Sequence, residues 1–404
     1  MRDRVLATRT GARDAAPPAM TIDGRPARVL FVVNEDWMFW SHRLSLARAV
    51  RDAGGEVAVA TRVGKHGERI VREGFRLHEL RWNRGSRSIV RESRALFALL
   101  KIYRDERPDL VHHVGIKSVM YGGLVSLFSR PPAQVHTLAG FGYVSTSAQA
   151  RARVLRALVR TAFRRLLNRK HSHLVVQNPD DETEIVSGRL FDRSRLHLIR
   201  GSGVDSDHFG RMEEPEGTVT AALVSRLVRS KGVVELADAA RILRKRRCDI
   251  RIVLVGDPDT ENPETVTHEM LAGWVNEGIL EWVGVVDDVR SVWERAHIGV
   301  LPSYREGLPR TLLEAASCGR ALVAADVPGC REIVRHDENG LLVPVRDASR
   351  LADALEELVR NGDRRRAMGE KSRERVTLLY SDHIILDEML TLYRQAIDAR
   401  ETRG

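Results

Sequence analysis

Short apolar runs alternate with helix-like segments along nearly the whole of this 404-residue chain, and this alternation constrains its fold more than any other feature. In the first half of the chain, the apolar runs that predict buried strands are residues 28–33, 57–60, 109–112, 134–137 and 174–177. Strands that are joined by helices form βαβ units, so this half is predicted to contain a parallel, doubly wound sheet.

A stretch rich in glycine and proline interrupts the alternation, and a second series follows it. The second set of apolar runs covers residues 220–224, 250–255, 280–283, 298–301 and 321–324. We therefore expect two Rossmann-like α/β domains facing a central cleft, with ligands at the carboxyl ends of the strands. The predicted order is a disordered leader, an amino-terminal domain, a linker, a carboxy-terminal domain and helices that pack back toward the first domain, at residues 1–26, 27–200, 201–216, 217–376 and 377–404.

Charge is divided unequally between the two halves. Lys and Arg exceed Asp and Glu by 17 in residues 1–200, whereas the acids exceed the bases by seven in the rest of the chain. The basic half could attract phosphates, nucleic acid or anionic lipid, or it could carry scattered solubilising arginines.

Residues 151–170 hold eight Lys or Arg and no acid, and predict an amphipathic helix that faces either the core or a lipid headgroup layer. We expect no nucleic-acid binding, because the sequence has no recognisable reader motif.

The cysteines and the hydropathy of the sequence indicate the cellular compartment in which the protein is expected. Cys248, Cys318 and Cys330 lack the spacing of a zinc site or a disulfide framework, which fits a reducing cytoplasm. No run of about 18 apolar residues could span a bilayer, and the first residues lack the apolar core of a signal peptide. The protein is expected in the cytoplasm, at the inner face of the plasma membrane as a peripheral protein.

The fourth predicted strand of the second domain leads into a tight loop and then a helix. Pro309 is favoured in a first helical turn, so the amides of Gly307 and Leu308 would lie at the positive end of the helix, where a diphosphate fits. Glu306 would stand at the sugar end of such a ligand, and Glu314 could accept hydrogen bonds from ribose hydroxyls. Taken alone, two glutamates are more often surface residues.

Two cations follow the first strand of the second domain. Arg226 and Lys231 would lie beside the same crevice, where fixed positive charge stabilises a departing nucleotide diphosphate. Either cation alone would more often be a solvated surface residue. Together with the two glutamates, they form a set that points to nucleotide-sugar chemistry.

From residue 28 onward the chain resembles the retaining glycosyltransferases of family 4, which have the GT-B fold. The resemblance implies that the segment from Glu306 to Glu314 is the paired-glutamate motif of that family, and that Arg226 and Lys231 bind the donor diphosphate.

The same resemblance places further residues near the donor. It implies that Gly256 and the pair Gly284 and Val285 lie near the nucleotide base, although glycines after strands are also common turn residues. It also implies that His136 is a cleft histidine that contacts the donor sugar, whereas a lone strand histidine is otherwise more often a core residue. The loop after His136 contains Gly140 and Gly142, which would allow close backbone approach.

The loop after the first strand departs from the family, because it is aromatic where many members have glycines. The pattern Phe-x-x-His-Arg-Leu at residues 39–44 is similar to bacterial capsule and O-antigen transferases that add N-acetylhexosamine to lipid-diphosphate-linked sugars. Stacking aromatics and diphosphate-binding polar groups would serve such an acceptor, although aromatics also simply pack. The predicted acceptor-binding residues are Asn34, Trp37, Phe39, His42 and Arg43.

The sequence thus predicts a retaining hexosyltransferase for cell-surface polysaccharide. The donor is a nucleoside diphosphate sugar, expected to be uridine-linked, and the acceptor an undecaprenyl-diphosphate-linked saccharide. The predicted catalytic residues are His136, Glu306, Arg226 and Lys231. We assign no aspartate pair as a metal-chelating motif and expect neither a metal nor a cofactor. The alternatives are a GT-B sugar-nucleotide epimerase, or a non-catalytic basic protein on a transferase scaffold that binds lipid or nucleic acid.

Overall fold

Two parallel sheets, one in each half of the chain, organise the structure. The computed structural model describes residues 19–82, 88–129, 131–138, 161 and 163–401. Each sheet is flanked by helices, which confirms the predicted pair of doubly wound α/β domains. None of the helices in these ranges is both long and apolar enough to cross a membrane.

The amino-terminal domain has a short antiparallel hairpin and a seven-stranded parallel sheet. Its strands are β1 (Thr21–Ile22), β2 (Arg25–Pro26), β3 (Arg28–Glu35), β4 (Glu56–Arg62), β5 (Arg76–Glu79), β6 (Leu110–Val114), β7 (Ala133–Thr137), β8 (Ser172–Val176) and β9 (Leu196–Leu198). Its helices are α1 (Asp36–His42), α2 (Leu44–Asp52), α3 (Gly67–Arg72), α4 (Ile89–Glu106), α5 (Ile116–Ser129) and α6 (Pro179–Ser187). The sheet order β5-β4-β3-β6-β7-β8-β9 changes direction at β3, so a crevice opens at the carboxyl ends of β3 and β6.

All five strands predicted for this domain are present, as β3, β4, β6, β7 and β8. The structure also contains two edge strands, β5 and β9, that were not predicted from the sequence. Edge strands are partly exposed and tolerate polar residues, here Arg76, His78 and His197, so these two lack the continuous apolar run that marks a buried strand.

The carboxy-terminal domain is built around a six-stranded parallel sheet in the order β12-β11-β10-β13-β14-β15. Its strands are β10 (Val219–Val224), β11 (Ile250–Val255), β12 (Glu281–Gly284), β13 (Ile298–Leu301), β14 (Ala321–Ala325) and β15 (Gly340–Val343). Its helices are α7 (Val233–Lys245), α8 (His268–Asn276), α9 (Arg290–Arg295), α10 (Arg310–Ser317), α11 (Pro328–Ile333), α12 (Ala348–Arg360) and α13 (Gly362–Leu379). The edge strand β15 again lies outside the sequence prediction.

The last helix, α14 (Asp382–Glu401), belongs to the core of the first domain. Met389 and Tyr393 are buried there against Phe31 and Phe39. The chain reaches α14 beside the linker, because Val204 pairs with Ser381 and their neighbouring backbone groups exchange two hydrogen bonds of 2.9 Å. The two chain crossings between the domains therefore run side by side.

The predicted disordered leader extends too far along the chain. Met20 and Ile22 are buried in the first domain, so residues 19–26 belong to the folded domain and the prediction is wrong for them. Their apolar side chains pack against the core that includes α14. Residues 1–18 lie outside the described residues.

Most of the predicted basic helix at residues 151–170, with the glycines at 140 and 142, also lies outside the described residues. Of its end, residues 163–167 form one helical turn. Phe163 and Leu167 of this turn are buried in the core, whereas Arg164 and Arg165 are exposed.

Candidate active site

A cavity of about 550 Å³ lies between the two domains. Its walls include Glu35 and Arg62, the last residues of β3 and β4, and Val224 and Val255, the last residues of β10 and β11. The carboxyl ends of both sheets therefore meet at this cavity, where the doubly wound topology places ligands.

Lys231 and Glu306 come together on the carboxy-terminal side of the cleft. Nζ of Lys231 donates to Oε1 of Glu306 at 2.5 Å, and both side chains are largely buried. Their loops are tied to each other, because the Tyr304 amide donates to the Ser230 carbonyl at 2.9 Å. Gly232 permits this approach, since a Cβ there would lie 2.1 Å from the Pro302 carbonyl oxygen. Two motifs that are 75 residues apart thus form one polar cluster.

Arg226 connects the carboxy-terminal domain to the opposite wall. Its Nη1 donates to Oδ2 of Asp259 at 2.5 Å. Its guanidinium carbon lies 5.3 Å from the ring centroid of Trp37, which is within cation–π range. Arg226, Asp259 and Trp37 all line the cavity.

The residues predicted near the nucleotide base lie at or beside the same cavity. Gly256 and Val285 line it, and Val285 is 69% exposed. The amide of Gly256 donates to the carbonyl of Gly284 at 2.7 Å. Gly256 has a φ of +125°, and a Cβ there would lie 2.0 Å from the Ser225 carbonyl oxygen, so glycine is required for this turn.

The helix after the tight loop begins at Arg310, and Pro309 is its N-cap rather than a residue of its first turn. The amides of Gly307 and Leu308 therefore precede the helix. Glu314 lies one turn after Arg310 and is buried, and Nε of Arg310 donates to its Oε1 at 2.7 Å. Burial raises the pKa of Glu314.

His42 is the predicted acceptor residue that faces the cations of the other domain. It ends α1, and its ring centroid lies 6.4 Å from that of Trp37. Burial, together with cations that include Arg310 and Lys231, lowers the pKa of His42 to about 3. The imidazole is therefore neutral at physiological pH.

Three other predicted acceptor residues are engaged inside the first domain. Phe39 is fully buried, with its ring 5.7 Å from Phe31, so the prediction that it stacks on a sugar is wrong. Arg43 is also buried, and burial lowers its pKa to about 10, so the prediction that it meets a diphosphate in the cleft is wrong as well. Oδ1 of Asn34 accepts hydrogen bonds from the amide and hydroxyl of Ser118, at 3.1 and 2.5 Å, and thereby caps α5. The predictions for Phe39 and Arg43 were wrong because one face of α1 packs into the core of the domain. The spacing of the aromatic residues along the sequence does not show which face of the helix this is.

His136 lies in the interior rather than at the cleft, so the prediction that it contacts the donor sugar is wrong. It pairs in register with His113 of β6, and the two rings stack with centroids 4.8 Å apart. Burial lowers the pKa of His136 to about 3. Side chains alternate along a strand, and position 136 points to the same buried face as His113.

Several residues of the cavity were not identified by sequence reasoning. Arg62 donates to Glu261 with both terminal nitrogens, at 2.7 and 2.5 Å, and so bridges the domains. These residues are 199 positions apart, and no local pattern marks such a pair. A sequence signal did exist for Asp257 and Asp259, because an Asp-Pro-Asp triplet follows Gly256 at the end of β11. Both aspartates line the cavity.

Comparisons with known proteins cover both domains. Residues 218–361 match the family model described as glycosyl transferases group 1, and residues 28–177 match that described as glycosyl transferase 4-like. The chain is 23% identical over 383 residues to the N,N'-diacetylbacillosaminyl-diphospho-undecaprenol alpha-1,3-N-acetylgalactosaminyltransferase of Campylobacter jejuni, which covers 92% of this chain and 99% of that protein. It is also 23% identical over 290 residues to the UDP-Gal:alpha-D-GlcNAc-diphosphoundecaprenol alpha-1,3-galactosyltransferase of Escherichia coli, covering 66% of this chain and 70% of that protein.

Solved structures share the arrangement of the two domains. Sucrose-phosphate synthase from Thermosynechococcus elongatus aligns with a TM-score of 0.74 at 22% identity, covering 92% of this chain and 100% of that one. Anabaena Alr3699/HepE, solved in complex with UDP and glucose, aligns with a TM-score of 0.72 at 15% identity, covering 91% and 99% of the two chains. At these identities the likeness establishes the fold.

Proposed function

The chain belongs to the glycosyltransferases of the GT-B fold, and from this premise we propose that it transfers a hexose or N-acetylhexosamine from a nucleoside diphosphate sugar to a saccharide linked to undecaprenyl diphosphate. The observation that carries the proposal is the ion pair of Lys231 and Glu306 on the carboxy-terminal side of the cleft, together with Arg226 in the wall of the interdomain cavity. The names of the two relatives support a lipid-diphosphate acceptor, and one of them names a UDP-sugar donor.

The donor diphosphate would bind between Arg226 and Lys231. The bond between the anomeric carbon and the phosphate oxygen breaks, and negative charge develops on the leaving diphosphate, which the two cations stabilise. Glu306 holds the Lys231 ammonium at 2.5 Å. It would stand at the sugar end of the donor. With fixed cations in place, the proposed reaction needs neither a metal nor a cofactor.

The acceptor would approach from the amino-terminal wall. Trp37 offers an aromatic face above Arg226, and the neutral imidazole of His42 can hydrogen-bond a hydroxyl group or a phosphate oxygen. We propose that the acceptor hydroxyl attacks from the face that the diphosphate leaves, and that the leaving phosphate oxygen takes its proton. The anomeric configuration is then retained without a covalent nucleophile on the protein.

We further propose that the reaction takes place at the inner face of the plasma membrane in cell-surface polysaccharide synthesis, with the enzyme bound peripherally through its basic amino-terminal domain. An undecaprenyl-linked acceptor is confined to a bilayer. The excess of 17 basic residues in residues 1–200 is the charge that attracts anionic lipid.

A panel of uridine diphosphate sugars with a lipid-diphosphate-linked saccharide and excess chelator tests the proposal. We expect one donor to give nucleotide release and glycosylated lipid in equal amounts, with the product linkage of the same anomeric configuration as the donor by NMR. Isomerised nucleotide sugar without transfer would indicate an epimerase instead. Loss of transfer in chelator, restored by a divalent cation, would contradict metal independence.

A further inference from the structure

The outer faces of α4 and α5 carry large apolar side chains that the core does not use. Phe97 on α4 is 71% exposed and Phe128 on α5 is 70% exposed. Val90 and Leu124 on the same two helices are exposed as well. Soluble proteins rarely leave such a group of apolar side chains in water unless it contacts a partner or a membrane.

From this surface we infer that the exposed face formed by Val90, Phe97, Leu124 and Phe128, here named the α4–α5 face, inserts into the headgroup region of an anionic lipid bilayer. The inference rests on the proposed function, since a lipid-linked acceptor would be delivered at that bilayer.

The apolar residues lie together because the two helices pack side by side. Glu92 of α4 accepts from Lys117 of α5 at 2.9 Å, and the Tyr121 hydroxyl also donates to Glu92. Within α5, Leu124 and Phe128 are four residues apart and share one side of the helix. The opposite side of α4 is already filled, since Leu99 packs into the domain core.

Basic residues lie on the same exposed side of α4 as Phe97. Arg94, Lys101 and Arg104 are exposed and lie at helical spacing from Phe97. Aromatic side chains interleaved with cations match a bilayer that presents phosphate groups above an apolar interior. A protein partner of neutral or basic charge would not suit this pattern.

A second basic feature adjoins the carboxyl ends of the two helices. A cavity of about 610 Å³ is lined there by Arg28, Arg104 and Arg107, and by Ser129, the neighbour of Phe128. The acid of this cavity, Asp109, is already neutralised, because Arg25 donates to both of its oxygens at 2.7 and 2.8 Å. The remaining arginines fit the phosphate of a lipid headgroup.

The described end of the basic segment borders the same face. The side chain of Leu167 packs against Gly123 of α5, where a Cβ would lie 2.7 Å from Leu167 Cδ2. Arg164 and Arg165 of this turn are exposed beside it. The positive charge of the amino-terminal domain is thus continued at the border of the α4–α5 face.

The orientation of α4 connects this face to the cleft. Crossover helices run antiparallel to the strands of their sheet, so α4 begins at the carboxyl edge of the sheet, where the interdomain cavity lies. A bilayer that covers the α4–α5 face would therefore reach the lip of the cleft. A lipid-linked saccharide could then enter without leaving the membrane.

Flotation of the full-length protein with vesicles tests the inference. We expect binding to vesicles of phosphatidylglycerol mixed with phosphatidylcholine, and little binding to phosphatidylcholine alone. The double variant Phe97→Ser/Phe128→Ser should lower the bound fraction about tenfold, and Arg94→Glu/Lys101→Glu should remove the preference for phosphatidylglycerol. The matched control is Val71→Ser/Leu378→Ser, which changes two exposed apolar residues elsewhere and should bind as the wild type does.

Transfer assays separate this inference from the proposed function. Both double variants should keep wild-type transfer to a water-soluble, short-chain acceptor and lose transfer to an acceptor embedded in vesicles. A wild-type protein that transfers sugar but does not bind vesicles would overturn the inference and the proposed peripheral attachment, and would leave the proposed sugar transfer standing. One that binds vesicles but transfers no sugar would overturn the proposed transfer and leave the inference standing. Equal loss of binding in the control variant would overturn the inference. So would a change from dimer to monomer on Phe97→Ser/Phe128→Ser, because the face would then be an interface between copies.

Discussion

Lys231 in the candidate donor site is held by the carboxylate of Glu306. The Lys231 ammonium lies 2.5 Å from Glu306, and neither side chain is freely exposed. A diphosphate that reaches this lysine meets a cation whose position is already set, so little reorganisation is needed when charge develops on the leaving group.

Replacing Lys231 with alanine tests this arrangement. We expect Lys231→Ala to lower kcat/KM by about 10²- to 10³-fold, because one fixed charge that faces the leaving diphosphate is lost. Steady-state kinetics with the donor identified above gives the value. Lys245→Ala, at the exposed end of α7, is the control and should leave kcat/KM unchanged. Wild-type turnover in Lys231→Ala would remove Lys231 from the site.

Buried histidines make the amino-terminal domain sensitive to acid. His112, His113 and His136 are fully buried, and burial lowers the pKa of each. In the unfolded chain a histidine titrates near about 6.5. Below that pH the unfolded state binds protons that the native state does not, so the stabilising contribution of these groups is complete above about pH 6.5 and is lost as the pH falls.

We expect the free energy of unfolding to drop by about 1.4 kcal/mol per buried histidine between pH 7.5 and pH 5.5. Urea denaturation at both pH values measures the drop. In His136→Gln the drop should be smaller by one such contribution, whatever the stability of the variant at pH 7.5. His336→Asn changes an exposed histidine and should keep the wild-type difference. An unchanged difference in His136→Gln would show that His136 is not held neutral.

At the scale of elements, the turn after β11 decides how closely the ends of the adjacent strands β10 and β11 approach each other. Gly256 adopts a φ of +125°, and its Cα faces the Ser225 carbonyl. A side chain at this position would push the β10 and β11 loops apart. Arg226 and Asp259, which these loops carry, form an ion pair across the same gap.

Gly256→Ala should therefore destabilise the protein by about 1–3 kcal/mol and also raise the KM for the donor, because the strain and the collision act at the cavity wall. The thermal unfolding midpoint and donor kinetics measure the two effects. Gly273→Ala lies in α8 with open space around the added methyl group, and should be neutral or slightly stabilising. Similar midpoints for both variants would contradict the steric argument.

At the scale of the whole molecule, contacts across the cleft hold the two domains in the observed arrangement. Arg62 and Glu261 form a bidentate ion pair, and Asn178 of the first domain donates to the Gly307 carbonyl at 3.1 Å. Both partners of the ion pair line the cavity and are partly exposed. Pairs of this kind add little to global stability, so we expect their effect on domain opening rather than on folding.

Arg62→Ala and Glu261→Ala should each raise the KM for the donor, and the double variant should raise it no further, because both changes remove one restraint on opening. Small-angle scattering should show a larger radius of gyration for each variant, with unfolding midpoints near the wild-type value. Arg251→Ala removes an exposed ion pair with Glu281 away from the cavity and is the control. Additive effects of the two cleft substitutions would contradict a shared restraint.

Local pattern was sufficient for much of the fold and part of the site. Apolar runs predicted the buried strands, because a strand covered on both faces must be apolar along its length. The loops that carry Arg226, Lys231 and Glu306 were also predicted, since glycine and proline mark turns at the ends of strands.

Tertiary structure decided which side chains of those loops face the cleft. Strand alternation and the packing of α1 turned His136, Phe39 and Arg43 into the core, while Trp37 and His42 were left at the cavity side. The partner that selects one face of a helix or strand comes from distant parts of the chain, and no local spacing records it. For the same reason the pairing of Arg62 with Glu261, 199 residues apart, exists only once the two domains have met.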